Sequence, residues 1–202
     1  MKVFNKNNFM IHSLVPTHTR YAQSNLHITS EFTEVTNGHY LIRVYTRENE
    51  DNELPETDNL KPSIEKVDVL ISVNSAREIE RAIPNSKNAG HMPILKNAWI
   101  GKNTNEETIE FICTDLETWK PVIARKVDER YANTEAIMPK EKPGTEICFN
   151  PEYMEKLCQQ FKKAEIGRIK LSIYGNEKAI KLEGKNTADS QRVVALLMPM
   201  KP

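Results

Sequence analysis

Apolar and polar positions alternate from Leu26 to Phe32, with Leu26 and Ile28 in step and Phe32 one position out, and Tyr40 to Tyr45 is rich in strand formers. Between them lies Asn37-Gly38, a pair that tolerates positive φ, so the spacing predicts an antiparallel hairpin closed by a tight type I′ turn. Asn7 to Val15 carries a thinner pattern that suits a short helix ended by Pro16. Val67 to Val73 reads as a strand that runs into Ser75-Ala76-Arg77-Glu78, a capping-box pattern that starts a helix. Ala76, Ile79, Ala82 and Ile83 share one side of that helix, Arg77, Glu80 and Arg81 face away, and Pro84-Asn85 ends it. Ile94 to Ile100, Thr108 to Cys113 and Pro121 to Val127 follow as three strands separated by polar turns.

The same order then recurs. Asn150 is placed to cap a helix whose first position is Pro151, where the missing N–H costs nothing. At 100° per residue Tyr153, Met154, Leu157, Cys158 and Phe161 gather in one arc, opposite Lys156, Gln159, Gln160, Lys162 and Lys163. Ile169 to Tyr174, Ala179 to Leu182 and Val193 to Met200 supply strands for that arc to lie on, joined through Gly175-Asn176 and the polar loop Gly184 to Ser190. An acidic, polar connector, Glu48 to Asp58 with Pro55 and Pro62, precedes the second unit. The chain thus reads as about three helix-plus-strands units, near residues 1–58, 66–140 and 141–202. Each is too small to close a core alone, so pairing between units is expected.

Composition narrows the function. Lys plus Arg and Asp plus Glu number 28 each, a net charge of zero, so any nucleic-acid surface must be local. Cys113, Cys148 and Cys158 form an odd set without CxxC spacing and read as buried thiols of a reducing cytoplasm. The first ten residues lack the apolar run of a signal peptide, and no stretch suits a membrane span, so a soluble intracellular protein is expected. His12, His18, His27, His39 and His91 show no metal-ligand spacing, and GxSxG, P-loop and GxGxxG motifs are missing. Asp115 and Glu117 lie on one strand face with no partner motif, and Trp99 and Trp119 read as core or sheet-edge residues rather than base-stacking platforms. No catalytic residue, metal site or cofactor is expected.

Three stretches resemble one family, the bacterial DNA polymerase III beta subunit, or DNA sliding clamp. Glu146-Ile-Cys-Phe-Asn-Pro-Glu-Tyr153, its helix and strands, and Leu196-Leu-Met-Pro-Met-Lys201 are similar in order and spacing to the close of that family's last domain. Met92-Pro-Ile-Leu-Lys-Asn97, Cys113-Thr-Asp-Leu-Glu117 and Val122-Ile-Ala-Arg125 resemble strands that open a clamp domain. Arg130-Tyr-Ala-Asn-Thr-Glu-Ala-Ile-Met-Pro139 is similar to a segment ending a clamp half-domain, with Ala132 in place of its first Pro. The family's Thr-Asp-Gly-His-Arg sequence is absent.

The resemblance implies an α+β sliding-clamp fold of repeated half-domains: residues 1–60 an N-terminal half-unit, and 66–202 one domain made of 66–140 and 141–202. It further implies a non-enzymatic processivity factor that contacts double-stranded DNA without sequence specificity, forms a homo-oligomer in the cytoplasm, and tethers a DNA polymerase or other clamp-binding protein. Matching positions give a partner-peptide pocket of Leu196, Leu197, Met198, Pro199 and Met200, with Pro139, and DNA-facing Lys156, Lys162, Lys163, Arg77, Arg81 and Arg20. A ring-less module that keeps the peptide pocket without binding DNA is the other reading open to the sequence.

Overall fold

The computed structural model describes residues 2–15, 24–48, 66–84, 93–188 and 190–201. Arg20 and the acidic connector beyond Glu48 lie outside the described residues. Contacts divide the chain into two compact units, Met1–Met138 and Pro139–Pro202.

In the first unit β1 (Lys2–Asn5) leads into α1 (Lys6–Met10), then β2 (Asn25–Thr29), β3 (Phe32–Thr36), β4 (Leu41–Tyr45) and β5 (Arg47–Glu48). The order repeats as β6 (Asp68–Ser72), α2 (Val73–Ala82), β7 (Asn97–Ile100), β8 (Thr108–Thr114) and β9 (Trp119–Val127). These strands form one antiparallel sheet in the order β4-β3-β2-β6-β9-β8-β7-β1-β5. Its two ends, β4 and β5, are separated in the chain by Thr46 alone, so the sheet curls back on itself. The pairing is symmetric under exchange of the halves. Each leading strand, β1 or β6, pairs with the last strand of its own half and with the first strand after the helix of the other. The sequence grouping of 66–140 with 141–202 is therefore not what the sheet shows: residues 66–138 are paired with residues 2–48. The half-units resemble one another, and the apolar pattern marks each without saying which neighbour closes it.

One apolar core serves both halves, with Phe9, Leu26, Ile28 and Val35 from the first and Ile71, Ala76, Ile79, Ile109 and Phe111 from the second. Phe111 meets Phe4 and Phe9 edge-on at centroid distances of 5.5 and 5.2 Å, a favoured aromatic geometry. The short α1 is fixed by polar means. Asn5 caps it through Asn7 N, and buried Asn8 accepts from Asn5 N at 2.9 Å and donates to Thr33 Oγ1 at 3.2 Å and Val44 O at 2.9 Å. Trp99 and Trp119 pack edge-on beside Val3 and Leu95.

Local differences from the sequence reading have physical reasons. Helix α2 starts one turn before the capping box at Ser75, because Ser72 Oγ accepts from Ser75 N at 3.1 Å and takes the cap. Phe32 opens a new strand: Thr29 Oγ1 accepts from Glu31 N and Phe32 N, turning the chain at Ser30-Glu31. The β3–β4 hairpin forms, but through Asn37 to Tyr40 rather than two residues. Gly38 sits at φ +84° and Asn37 Oδ1 accepts from His39 N and Tyr40 N. Cys113 is buried, and burial pushes its thiol up to about 12. Cys148 and Cys158 are exposed, contrary to expectation, since each lies beside the small core of the second unit rather than in it.

The opposite face of β2, β3 and β4 carries a charged row. His27, Glu34 and Arg43 stand in cross-strand register, and the segment after β9 lies over them. Glu34 accepts from Arg43 Nε at 2.9 Å and from Thr134 Oγ1 at 2.8 Å, and meets His27 Nδ1 at 2.9 Å. His27 Nε2 reaches Asp68 at 2.8 Å, Arg43 pairs with Glu135 at 2.5 Å and stacks on Phe32, and the Tyr131 ring lies 4.6 Å from His27. These bonds strap residues 131–135 onto the sheet.

In the second unit α3 (Pro151–Lys163) is capped by Asn150, whose Oδ1 accepts from Glu152 N at 2.8 Å, with Pro151 at the first position as the sequence predicts. Strands β10 (Ile169–Ser172), β11 (Ile180–Lys185) and β12 (Arg192–Leu197) form an antiparallel sheet in chain order. Cys148, just before the helix, bridges Met200 beyond β12. Phe161, Ile166, Ile180, Leu182 and Leu197 make the core. Gly184 lets the helix end approach, since a Cβ there would lie 2.5 Å from Ile166 Cγ2. Asn186 Nδ2 donates to Ala164 O at 2.9 Å, serving a carbonyl that the helix end leaves unpaired.

Removing one partner of a buried ion pair strands the other. Arg43→Ala should therefore cost about 3 kcal/mol by denaturant unfolding, and free the 131–135 strap to proteolysis. Burial alone would lower the His27 pKa, but its bonds to Glu34 and Asp68 raise it above 6.5. Burial alone would raise Glu34, but His27, Thr134 and Arg43 hold it below 4.5. The His27 contribution is complete below 6.5 and lost as pH rises through its raised value; that of Glu34 is complete above 4.5 and lost as pH falls through its lowered value. Melting temperature should accordingly peak between those values, and His27→Gln should flatten the alkaline side of the profile.

Candidate partner-binding and nucleic-acid surfaces

Alternation along β12 sorts the terminal apolar run into two faces. Val193, Ala195 and Leu197 pack toward α3, where Leu197, only 3 % exposed, sits opposite Ile180 in the core. Leu196, Met198 and Met200 are 63 %, 68 % and 52 % exposed, with Pro199 half-buried between the methionines. The structure thus corrects the expectation for Leu197, which belongs to the core because strand period two turns it away from its neighbours. Pro139 is exposed, and it is outside the core cluster that holds the end of β12.

The ridge has a polar margin. Leu196 stands opposite Lys181 and Val194 opposite Glu183. Glu183 bonds Arg192 Nε and Lys181 Nζ, both at 2.6 Å, and these two cations pull its pKa down to about 2. An apolar row beside a fixed charged cluster is a surface on which an extended apolar peptide gains burial while its backbone and charges remain wet. The thioethers of Met198 and Met200 repack readily around different side chains.

The predicted cations divide between the units. On α3, Lys156, Lys162 and Lys163 are exposed, alongside Glu152 and Glu155. Lys156 Nζ lies 5.7 Å from the Tyr153 ring centroid. Lys162 and Lys163 occupy the last turn, where the helix dipole favours cations. On α2, Arg77 and Arg81 are exposed one turn apart. Glu80 on the same helix is drawn to His12 Nε2 at 2.9 Å, which leaves Glu78 as the acid nearest the two arginines in sequence.

Sequence reasoning missed a shallow groove of about 530 Å³ lined by Asn5, Lys6, Asn7, Met10, Glu80, Pro84 and Lys96. Its lining comes from three separate stretches, residues 5–10, residues 80–84 and Lys96, so no motif announces it. Asp115 is engaged by Lys120 and Thr118 rather than by a second carboxylate, and those bonds hold its carboxyl well below the usual range. Among the described residues no group of His, Cys, Asp and Glu is placed to hold a metal ion, and no helix is long and apolar enough to cross a membrane.

Neither a protein-family model nor a curated protein sequence matches the chain. Solved structures do. The beta sliding clamp of C. crescentus superposes with a TM-score of 0.62 over 98 % of this chain and 50 % of its own, at 12 % identity. The chain has the sliding-clamp fold. The DNA polymerase III beta subunit of Thermotoga maritima agrees, with a TM-score of 0.56 at 15 % identity over 99 % of this chain and 50 % of that one. Proliferating cellular nuclear antigen from Entamoeba histolytica matches at 0.52 and 10 % identity over 100 % of this chain and 76 % of its own. The chain spans about half the length of the bacterial clamps it matches. At such low identity the α+β clamp architecture is shared while few residues are, which is why structure finds the relation and whole-sequence comparison does not.

The two faces of β12 should separate in mutagenesis. Leu197→Ala empties a core position and should cost about 2–5 kcal/mol. Leu196→Ala should stay within about 0.5 kcal/mol, as surface changes do. Urea unfolding of both variants checks the division.

Proposed function

We propose that this chain acts as a sliding-clamp-like processivity factor, contacting duplex DNA without sequence preference and holding a polymerase or another DNA enzyme by a short apolar peptide. The observation that carries the reading is the exposed row of Leu196, Met198 and Met200 at the end of β12, on a clamp fold. A soluble unit gains nothing in folding from leaving three large apolar side chains in water, whereas a peptide with aliphatic or aromatic anchors would bury them. Pro199 fits this role by stiffening the segment between the methionines, and Pro139 remains a candidate member of the pocket.

Arg77 and Arg81 on α2 and Lys156, Lys162 and Lys163 on α3 are the proposed phosphate contacts, with Arg20 a further candidate. Long cationic side chains on helix surfaces neutralise phosphates without reading bases, which is what a sliding contact requires. No chemistry is asked of the protein, whose work is to keep an enzyme close to its template by raising its effective concentration there. Enclosing a duplex would take more than one copy, in the compartment where the DNA is replicated.

Fluorescence anisotropy with a short peptide bearing Leu and Phe anchors tests the pocket: Met198→Asp should abolish binding while the melting temperature holds. Equal affinity of Met198→Asp and the parent would sink the pocket. For DNA, the slope of log affinity against log salt should shrink by about 1 for each phosphate contact removed, as in Arg77→Ala or Lys162→Ala. A slope unchanged in every such variant would remove these cations from the reading.

A further inference from the structure

Strand alternation gives the sheet of the second unit two unlike faces. Ile169, Ile180, Leu182 and Leu197 turn to the core beside α3. The opposite face collects charge of one sign: Lys170 on β10, Lys181 and Lys185 on β11, and Arg192 on β12, against a single carboxylate, Glu183. The registers place Lys170 opposite Glu183, Glu183 opposite Val194, and Lys185 opposite Arg192. In a chain whose charges balance at 28 of each sign, four cations to one acid on a small sheet is a local concentration.

Glu183 orders this face more than it neutralises it. Its two oxygens hold Lys181 Nζ and Arg192 Nε, both at 2.6 Å. Arg192 is thereby fixed through one nitrogen, and its two Nη groups, the fork that grips a carboxylate bidentately, have no partner among the described residues. Lys170 and Lys185 are exposed and form no ion pair among the described residues. The free cations lie at one end of the face and the apolar ridge at the other. Arg192 precedes Val194, Leu196 and Met198 along the chain, and those three are 46 %, 63 % and 68 % exposed. At about 3.3 Å per strand residue, Arg192 and Leu196 are roughly 13 Å apart, the span of about four residues of an extended peptide.

We infer that the cationic end of this face, Lys170, Lys185 and Arg192, binds carboxylates of the docked peptide, so that the preferred partner segment carries Asp or Glu about four residues from its apolar anchors. This preference rests on the reading that the ridge of Leu196, Met198 and Met200 takes a peptide. An acidic peptide fits the face better than duplex DNA does. Phosphates would neutralise the same cations, but a sugar-phosphate backbone offers no apolar groups to cover Val194, Leu196 and Met198. A peptide buries the ridge with its anchors and reaches the cations with its acids, while Glu183 stays bonded to its own two partners. Exposed charge pairs of this kind select among partners and speed their encounter more than they add affinity.

Three labelled peptides with the same Leu and Phe anchors test this by fluorescence anisotropy at low salt. One carries Asp-Glu pairs about four residues from the anchors on both sides, one Ser at those positions, and one Lys. The acidic peptide should bind about tenfold more tightly than the Ser peptide, and high salt should erase the difference. Lys170→Gln with Lys185→Gln should cut that ratio at least about threefold, and Lys170→Glu with Lys185→Glu should bring the Lys peptide above the acidic one. Each ratio compares peptides on one protein, so a variant that is merely less stable does not mimic the effect. Equal affinity of the acidic and Ser peptides, with Met198→Asp still abolishing both, would overturn the charge preference and leave the ridge standing. Binding of no peptide would remove ridge and preference together. A ratio unmoved by either pair of substitutions would overturn the assignment, as would a short DNA duplex losing affinity in those variants while the peptide ratio holds.

Discussion

The leading strand of a half-unit has two edges and its own half can bond only one of them. Unpaired backbone groups on the second edge, and the apolar residue before the helix cap, must be covered by something else. In the first unit they are covered by the other half, and most of what that unit is follows: the sheet order, the common aromatic core, the side-by-side helices. Neither half owns a closed core, since Phe4 and Phe9 from one pack on Phe111 from the other.

That rule also explains what could be read in the sequence. Period-two and period-3.6 patterns report which side of an element is covered, so β4, β8, β9, α2 and α3 were legible, as was the Asn150-Pro151 start. Caps and turns depend on single hydroxyls and amides: Ser72 displaced Ser75, and Thr29 turned the chain at Ser30. What the pattern does not carry is the identity of the cover. Residues 66–140 fit either neighbour by pattern, and the registers of β6 on β2 and of β1 on β7 choose residues 2–48.

The candidate surfaces were legible in the same partial way. The Leu-Leu-Met-Pro-Met segment stood out by resemblance, yet the segment holds two populations that alternation separates, Leu197 for the core and Leu196, Met198 and Met200 for the surface. Exposed cations on α2 and α3 were readable from helical period, but the pairing of Glu80 with His12 was not, because the partners are distant in sequence. The strap over His27, Glu34 and Arg43 was invisible for a similar reason: it needs Thr134 and Glu135 from the far end of the unit, and no local pattern links charges so widely spaced.

Thr46 separates β4 from β5, its N–H donates to Glu31 O at 2.8 Å, and its hydroxyl contacts the same turn. By bending one segment so that it supplies both end strands of the sheet, this residue leaves, among the described residues, end strands of only five residues and two. Long flat edges recruit stray strands from other molecules. Among the described residues the corner at Thr46 therefore leaves such recruitment only short stretches of edge to work on.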